Sequence, residues 1–274
     1  MADYLRPTSL DEALAALAER PWTMLAGGTD VYPANVGRPI SEDVLDVTGL
    51  PSLRAISVGD GVVRIPALAT WTDVVRADLP AAFDGLKAAA RSIGGVQIQN
   101  RGTLAGNLCN ASPAADGLPN LMALGARVEL ASAGGVREVP VDEFVVGNRR
   151  TVLRADELVT AILVPSPVSS ARSTFLKLGS RAYLVISIAS VAAVIDVGGD
   201  GRVASARIVV GACSEVPMRL GAAEARLIGE VASPSVEAAD LELLSPIDDV
   251  RGTAAYRRDV ALTLVRRAVA ELMS

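Results

Sequence analysis

Residues 23–26, Thr-Met-Leu-Ala, read as a short buried strand that runs without a spacer into Gly27-Gly28-Thr29-Asp30, and this junction constrains the fold more than any other stretch. A strand that ends in paired glycines can turn backbone N–H groups toward one point and let a bulky anion approach the main chain. A second loop of similar design, Thr103-Leu104-Ala105-Gly106-Asn107, follows about 75 residues later, with Thr and Asn to supply side-chain hydrogen bonds. Neither loop fits G-x-G-x-x-G or G-x-x-x-x-G-K-[ST], so a Rossmann or P-loop reading has no motif support. Taken singly, each is more often a structural turn. Facing one another, they would hold a pyrophosphate.

A chain of 274 residues is roughly two average domains. Half of it is hydrophobic but only 3% is aromatic, so its core is predicted to be built from Ala, Val, Leu and Ile. There is no histidine, which excludes Ser-His-Asp and Cys-His catalysis and the usual imidazole metal sites. Two cysteines, Cys109 and Cys213, cannot supply the four thiolates of an iron–sulfur cluster or a zinc ribbon. No metal site and no catalytic acid or base is therefore assigned, and any hard chemistry falls to an organic cofactor. A net charge of −5 lacks the basic footprint of a nucleic-acid partner or a polybasic membrane anchor. The longest apolar run, near Val185 to Val197, is broken by Ser187 and Ser190 and is too short to span a membrane. The sequence reads as cytoplasmic, with reduced thiols.

Ser9 and Glu12 form a capping-box signal ahead of Leu10, Ala13, Leu14 and Leu17, predicting a helix at 9–20. Val44 to Val47 reads as a strand, and Leu53 to Val58 with Val62 to Ala67 as a hairpin about Gly59-Asp60-Gly61. Thr70 is placed to cap a helix carrying Trp71, Val74 and Val75, and a further helix is expected at 81–92. The stretch from Gly94 to Asn110, dense in Gln, Asn and Thr, predicts a loop system folded around something polar. A short helix from Asp116 and strands at 127–131, 136–139 and 158–164 follow. Pro165-Ser166-Pro167 marks the best boundary. Beyond it, strands at 174–178, 186–197 and 203–212 predict a meander, closed by two helices of which the last covers 253–272.

In order along the chain, Tyr4-x-Arg6-Pro7-Thr8-Ser9-Leu10-x-Glu12-Ala13, Leu25-Ala26-Gly27-Gly28-Thr29-Asp30, Gln97-Ile98-x-Asn100-Arg101-Gly102-Thr103-Leu104-x-Gly106-Asn107-Leu108 and Ala111-Ser112-Pro113-Ala114-Ala115-Asp116 together resemble the FAD-binding subunit of the molybdenum hydroxylases. The resemblance continues through Asp156-Glu157-Leu158-Val159, Lys177-x-x-x-Arg181 and Tyr256-Arg257-Arg258, covering nearly the whole chain. It implies an α+β fold: a two-lobed FAD-binding domain of the vanillyl-alcohol-oxidase (PCMH) type over 1–165, with the lobe boundary about 50–60, and a small α+β C-terminal domain over 171–274.

Position by position, the resemblance assigns the first pyrophosphate loop to Met24, Leu25, Ala26, Gly27, Gly28, Thr29, Asp30 and Val31, and the second to Thr103, Leu104, Ala105, Gly106 and Asn107. Ile93, Gly94, Leu158 and Val159 would lie against the cofactor, Asp116 would hydrogen-bond it, and Lys177 would reach back from the second domain. On the residues alone, Asp116 could instead cap a helix, Lys177 could be solvated, and Arg101 could pair with phosphate or with a carboxylate. Val185-Ile186-Ser187 stands where many relatives have an Asp near the flavin, and no cysteine-rich insertion for a further cluster is present. Covalent attachment through histidine is excluded, so FAD is expected to be non-covalent.

The implied activity is electron transfer. Iron–sulfur clusters of a [2Fe-2S] small subunit, fed by a molybdopterin large subunit, would reduce FAD here, and an acceptor such as NAD or another carrier would reoxidise it. The alternatives are a self-sufficient FAD oxidoreductase, for which Tyr183, Ser187 and Cys109 are the candidate proton donors, and a scaffold without cofactor.

Overall fold

The computed structural model describes residues 2–59, 61–231 and 236–274. Among the described residues three larger sheets succeed one another along the chain, with a two-stranded ribbon besides. The first joins β1 (Tyr4–Leu5), β2 (Thr23–Leu25) and β3 (Val44–Asp46), with helices α1 (Leu10–Glu19) and α2 (Val31–Ala34) between them. The order is β1-β3-β2 and both pairings are parallel. Ser9 caps α1 by accepting from Glu12 N at 3.2 Å, while the Glu12 carboxylate accepts from Thr8 N at 2.9 Å. Such a cap contributes about 1 kcal/mol. Ala13, Leu14, Ala16 and Leu17 form the buried face. Because β2 and β3 run parallel, their carboxyl ends open on one edge, the usual ligand edge of such sheets.

The second lobe contains β4 (Ser57–Gly59), β5 (Val62–Pro66), α3 (Trp71–Arg76), α4 (Asp84–Ser92), α5 (Val96–Gln99), α6 (Leu104–Asn110), α7 (Gly117–Ala123), β6 (Arg127–Ser132), β7 (Gly135–Pro140), α8 (Val141–Phe144), β8 (Val145–Gly147), β9 (Arg150–Thr151) and β10 (Leu158–Pro165). Its five-stranded antiparallel sheet has the order β4-β5-β10-β6-β7, with β10 buried at the centre. Two expectations are corrected here. The first hairpin arm is only Ser57–Gly59, because Pro51–Leu53 form a tight 3-10 turn that buries Leu53; Asp60 of the predicted turn lies outside the described residues. The stretch 94–110, expected as loops, folds into α5 and α6. Thr103 caps α6 through Gly106 N at 2.9 Å, and Leu104 and Leu108 bury its apolar side.

The third sheet is the predicted meander: β11 (Ala171–Leu178), β12 (Ala189–Val197), β13 (Val203–Gly211) and β14 (Met218–Arg219). Helices α9 (Gly221–Leu227) and α10 (Ala254–Leu272) complete the chain. Alternation along β12 divides its two faces. Val191, Ala193 and Ile195 pack with Leu264, Val265 and Ala268 of α10, whereas Ala192, with Phe175 and Val209, meets Ala89 and Ala123 of the second lobe. Strand β12 starts three residues later than predicted. Residues 179–188 instead form a strap, in which Leu184 has a left-handed backbone (φ 53°) and its carbonyl accepts two bonds from the Arg181 guanidinium.

Candidate functional site

A cleft of about 490 Å³ opens between the carboxyl edge of the first sheet and helices α3, α5 and α6. This volume is in the range of small-molecule and cofactor sites. Both glycine loops line it: Met24 and Ala26 to Val31 from the first, Thr103, Ala105, Gly106 and Asn107 from the second. Ile93, Ile98, Leu158 and Val159 supply apolar wall.

The glycines act differently from one another. A Cβ on Gly27 would fall 2.0 Å from the Arg101 carbonyl oxygen, so this glycine brings the two loops into backbone contact. Gly28 has φ 72°, a conformation favouring glycine, and the position of its missing Cβ is covered by the Tyr32 ring. The second loop is anchored from behind, with Trp71 N donating to Gly102 O and Leu104 N to Ala69 O, each at 3.1 Å. Across the mouth, Asn110 Nδ2 donates to Asp30 Oδ1 at 3.0 Å and Arg149 Nη1 donates to Asn110 Oδ1 at 2.6 Å.

Not all of the predicted residues meet in the cleft. Leu25 faces a neighbouring polar cavity of about 340 Å³, lined also by Arg6, Arg54 and Arg101. Leu104 is wholly buried core, and Gly94 (φ 54°) packs under the Ile98 side chain. Asp116 and Lys177 lie at the domain junction, where Lys177 Nζ is 2.8 Å from Asp116 Oδ2. Ser187 Oγ donates to the other carboxylate oxygen at 2.6 Å. Asp116 makes no side-chain cap of α7, and Lys177 is nearly buried, so neither the capping nor the solvated reading holds. Among the described residues Arg101 has no carboxylate partner, and it lines the polar cavity rather than the cleft.

Trp71, Ile98, Gly102, Asn110 and Glu157 also line the cleft. Glu157 is ionised there: the Arg137 guanidinium, at 2.6 and 2.8 Å, outweighs burial and holds its carboxyl below the ordinary glutamate range. Cys109 is in the wall, and burial pushes its thiol up to about 12. Ser187 is buried against Asp116, while Tyr183 is 75% exposed on the strap.

A family model described as "FAD binding domain in molybdopterin dehydrogenase" matches residues 1–167, and one described as "CO dehydrogenase flavoprotein C-terminal domain" matches residues 174–272. The chain is 33% identical over 277 residues to the nicotine 6-hydroxylase medium subunit of Paenarthrobacter nicotinovorans, covering 98% of this chain and 96% of that one. It is 31% identical over 254 residues to the nicotinate dehydrogenase FAD-subunit of Eubacterium barkeri, covering 88% and 84% respectively. The solved carbon monoxide dehydrogenase of Hydrogenophaga pseudoflava that lacks the Mo-pyranopterin moiety superposes with a TM-score of 0.90 at 28% identity, over 99% of this chain and 98% of that one. The fold is thus an FAD-binding domain of the PCMH type followed by the small C-terminal domain of such flavoproteins. The chain belongs to the family of FAD-binding subunits of molybdenum hydroxylases and is an oxidoreductase subunit.

The cleft fits that cofactor. Both glycine loops present main chain to it, while Asn107 Oδ1 is buried against Gly117, with no hydrogen-bond partner among the described residues. No Lys or Arg is among the described residues that line the cleft. A phosphate bound here would find backbone N–H groups of the glycine loops and Thr and Asn side chains as its donors.

Proposed function

We propose that this chain is the electron-transfer flavoprotein of a molybdenum hydroxylase complex, taking electrons from [2Fe-2S] clusters of a small subunit and delivering them to an external acceptor such as NAD or another carrier. A molybdopterin large subunit would oxidise the organic substrate. When bound, FAD supplies the capacity to accept electrons singly and release them in pairs. The observation that carries the reading is the joint wall of the cleft, in which both glycine loops meet and, among the described residues, no cationic side chain intrudes.

In this reading FAD is held without a covalent bond. The backbone at Gly27, Gly28 and Thr29, with Thr103 and Asn107, receives the pyrophosphate, Gly106 gives it room while its own N–H is held by Thr103, and Met24, Ile93, Leu158 and Val159 exclude water around the ring systems. Asp116 accepts hydrogen bonds from cofactor hydroxyls, and Lys177 brings positive charge to the same end. The two units, 1–165 with a lobe boundary about 50–60 and 171–274, place the cofactor near their junction. Their division agrees with the family matches, which break between 167 and 174. Among the described residues no helix is long and apolar enough to cross a membrane, which is compatible with a cytoplasmic complex. A self-sufficient oxidase gains no support from its three candidate donors. Tyr183 points its exposed ring outward on the strap, the Ser187 hydroxyl is committed to Asp116, and Cys109 is a single thiol in the wall.

Heat or acid denaturation of the purified chain tests the cofactor assignment. All of the flavin should appear in the supernatant as FAD. Release of FMN, or a yellow pellet, would contradict it.

A further inference from the structure

Arg257 lies on the inner face of α10 with 3% of its surface exposed. A guanidinium at that depth is stabilised by the donors it uses, and Arg257 uses both Nη groups, while its buried Nε has no hydrogen-bond partner among the described residues. Nη1 donates to the Ile188 carbonyl at 2.6 Å and to the Ala212 carbonyl at 3.3 Å, and Nη2 donates to Asp249 Oδ1 at 2.6 Å. The two carbonyls belong to the two segments of the C-terminal domain that reach back to the residues preceding α7. Ile188 follows Ser187, whose buried hydroxyl donates to Asp116 Oδ1. Ala212, in the left-handed region at φ 61°, donates its N–H to the Pro113 carbonyl at 3.2 Å. Both paths from one guanidinium therefore end on residues 113–116, which lead from the cleft residue Asn110 into α7; neither they nor Arg257 line the cleft.

We propose that Arg257 is a positioning residue for the cofactor. It fixes the Ile188 and Ala212 carbonyls, and through Ser187 it sets the rotation of the Asp116 carboxylate so that the oxygen not taken by Lys177 keeps one orientation. The inference rests on the reading of Asp116 and Lys177 as cofactor-holding residues. The arrangement requires arginine. Its planar fork meets two carbonyls and a carboxylate at once, which the single nitrogen of lysine cannot do in the same geometry. Asp249 supplies the counter-charge, so the buried cation is neutralised without drawing on Asp116.

A merely structural role makes a different prediction, and the same domain contains a control for it. Glu224 is 5% exposed and accepts from Ile208 N at 2.8 Å and from Arg219 Nε at 2.9 Å, all within β13, β14 and α9. Glu224→Gln should lower the thermal midpoint and leave FAD affinity unchanged.

The test is a titration of FAD into the full-length apoprotein, followed by flavin fluorescence, together with thermal unfolding of each variant. Arg257→Lys and Ser187→Ala should each weaken FAD binding about tenfold, the scale of one hydrogen bond to a charged group. The double variant should be no weaker than the weaker single, because both act on Asp116 along one path. Unchanged affinity in Arg257→Lys, or additive losses in the double variant, would overturn the proposal. Should Arg257→Lys fail to fold, Ser187→Ala decides alone, since it removes one hydroxyl and no backbone support, and unchanged affinity there overturns the proposal equally. Asp116→Asn, measured alongside, separates the two levels. If it weakens FAD while Arg257→Lys and Ser187→Ala do not, only the relay fails; if it too has no effect, the reading of Asp116 fails with it.

Discussion

The ring of Tyr32 covers Gly28: a Cβ built on that glycine would lie 2.4 Å from Tyr32 Cε2. Substitution at Gly28 must therefore move an exposed side chain and also place a non-glycine residue at φ 72°. The tyrosine can swing away, but the backbone strain, about 1–2 kcal/mol, stays. Gly28→Ala is expected to remain folded and lose FAD affinity by at least tenfold, and Tyr32→Ala in the same chain should restore little of it. Retention of stoichiometric FAD by a folded Gly28→Ala protein would remove the first loop from the site.

Gly27 makes the contrasting case. Its neighbour is the Arg101 carbonyl, backbone that cannot swing aside, so a methyl group there forces the two loops apart. Gly27→Ala should be more damaging to folding than Gly28→Ala, by a measurable drop in thermal midpoint and in soluble yield. Equal midpoints for the two variants would contradict the close approach of the loops.

The Lys177–Asp116 pair is almost wholly buried, with side-chain exposures of 11% and 7%. Removing one partner of such a pair typically costs about 3–5 kcal/mol, since the other charge is stranded. Lys177→Met should lower stability by that order and weaken FAD binding, and Lys177→Met with Asp116→Asn should recover stability without recovering affinity. Denaturant unfolding and FAD titration of the three variants separate the two effects. Recovery of affinity along with stability would show that the pair is structural only.

Protonation should bound stability on both sides. Arg137 holds the Glu157 carboxyl below its ordinary range, and the backbone N–H of Arg251, with the Arg257 guanidinium, lowers Asp249 to about 2. Depressed carboxyls contribute stability that is present above their unfolded values and lost as the pH falls through the folded ones. Burial has the opposite sense for the thiols, raising Cys109 to about 12 and Cys213 to about 11. Their contribution is complete below the unfolded thiol value, about 8.5, and is lost as the pH rises through 11 to 12. Urea midpoints should thus form a plateau from about pH 5 to 8 and fall on either side. A midpoint that climbs between pH 9 and 11 would be inconsistent with buried protonated thiols.

What the sequence discloses about this fold is what is local. Ser9 and Glu12 announce α1, Thr70 announces α3, and the strand running into Gly27 announces the cleft, because each signal lies within a few residues of its effect. Helices α5 and α6 were hidden, since four and seven residues are too short to show a helical period; α6 depends on the Thr103 cap and the burial of Leu104 and Leu108, while α5 has neither a side-chain cap nor a buried residue. Strand β1 is only two residues long and exists by pairing with β3, some 40 residues distant. Trp71 and Glu157 reach the cleft through contacts with Gly102 and Arg137, which no spacing in the sequence records. Resemblance supplied Asp116 and Lys177, but not that they bind each other, a relationship across 61 residues.

In the function proposed above, this chain handles electrons and leaves substrate oxidation to partners. The most direct measurement is anaerobic mixing of the purified, FAD-loaded chain with candidate purines, nicotinate and aldehydes while flavin absorbance is followed. No bleaching by any of them is expected until the iron–sulfur and molybdenum subunits are added, and bleaching afterwards with the complex's own substrate. Bleaching of the isolated chain by an organic substrate would contradict it.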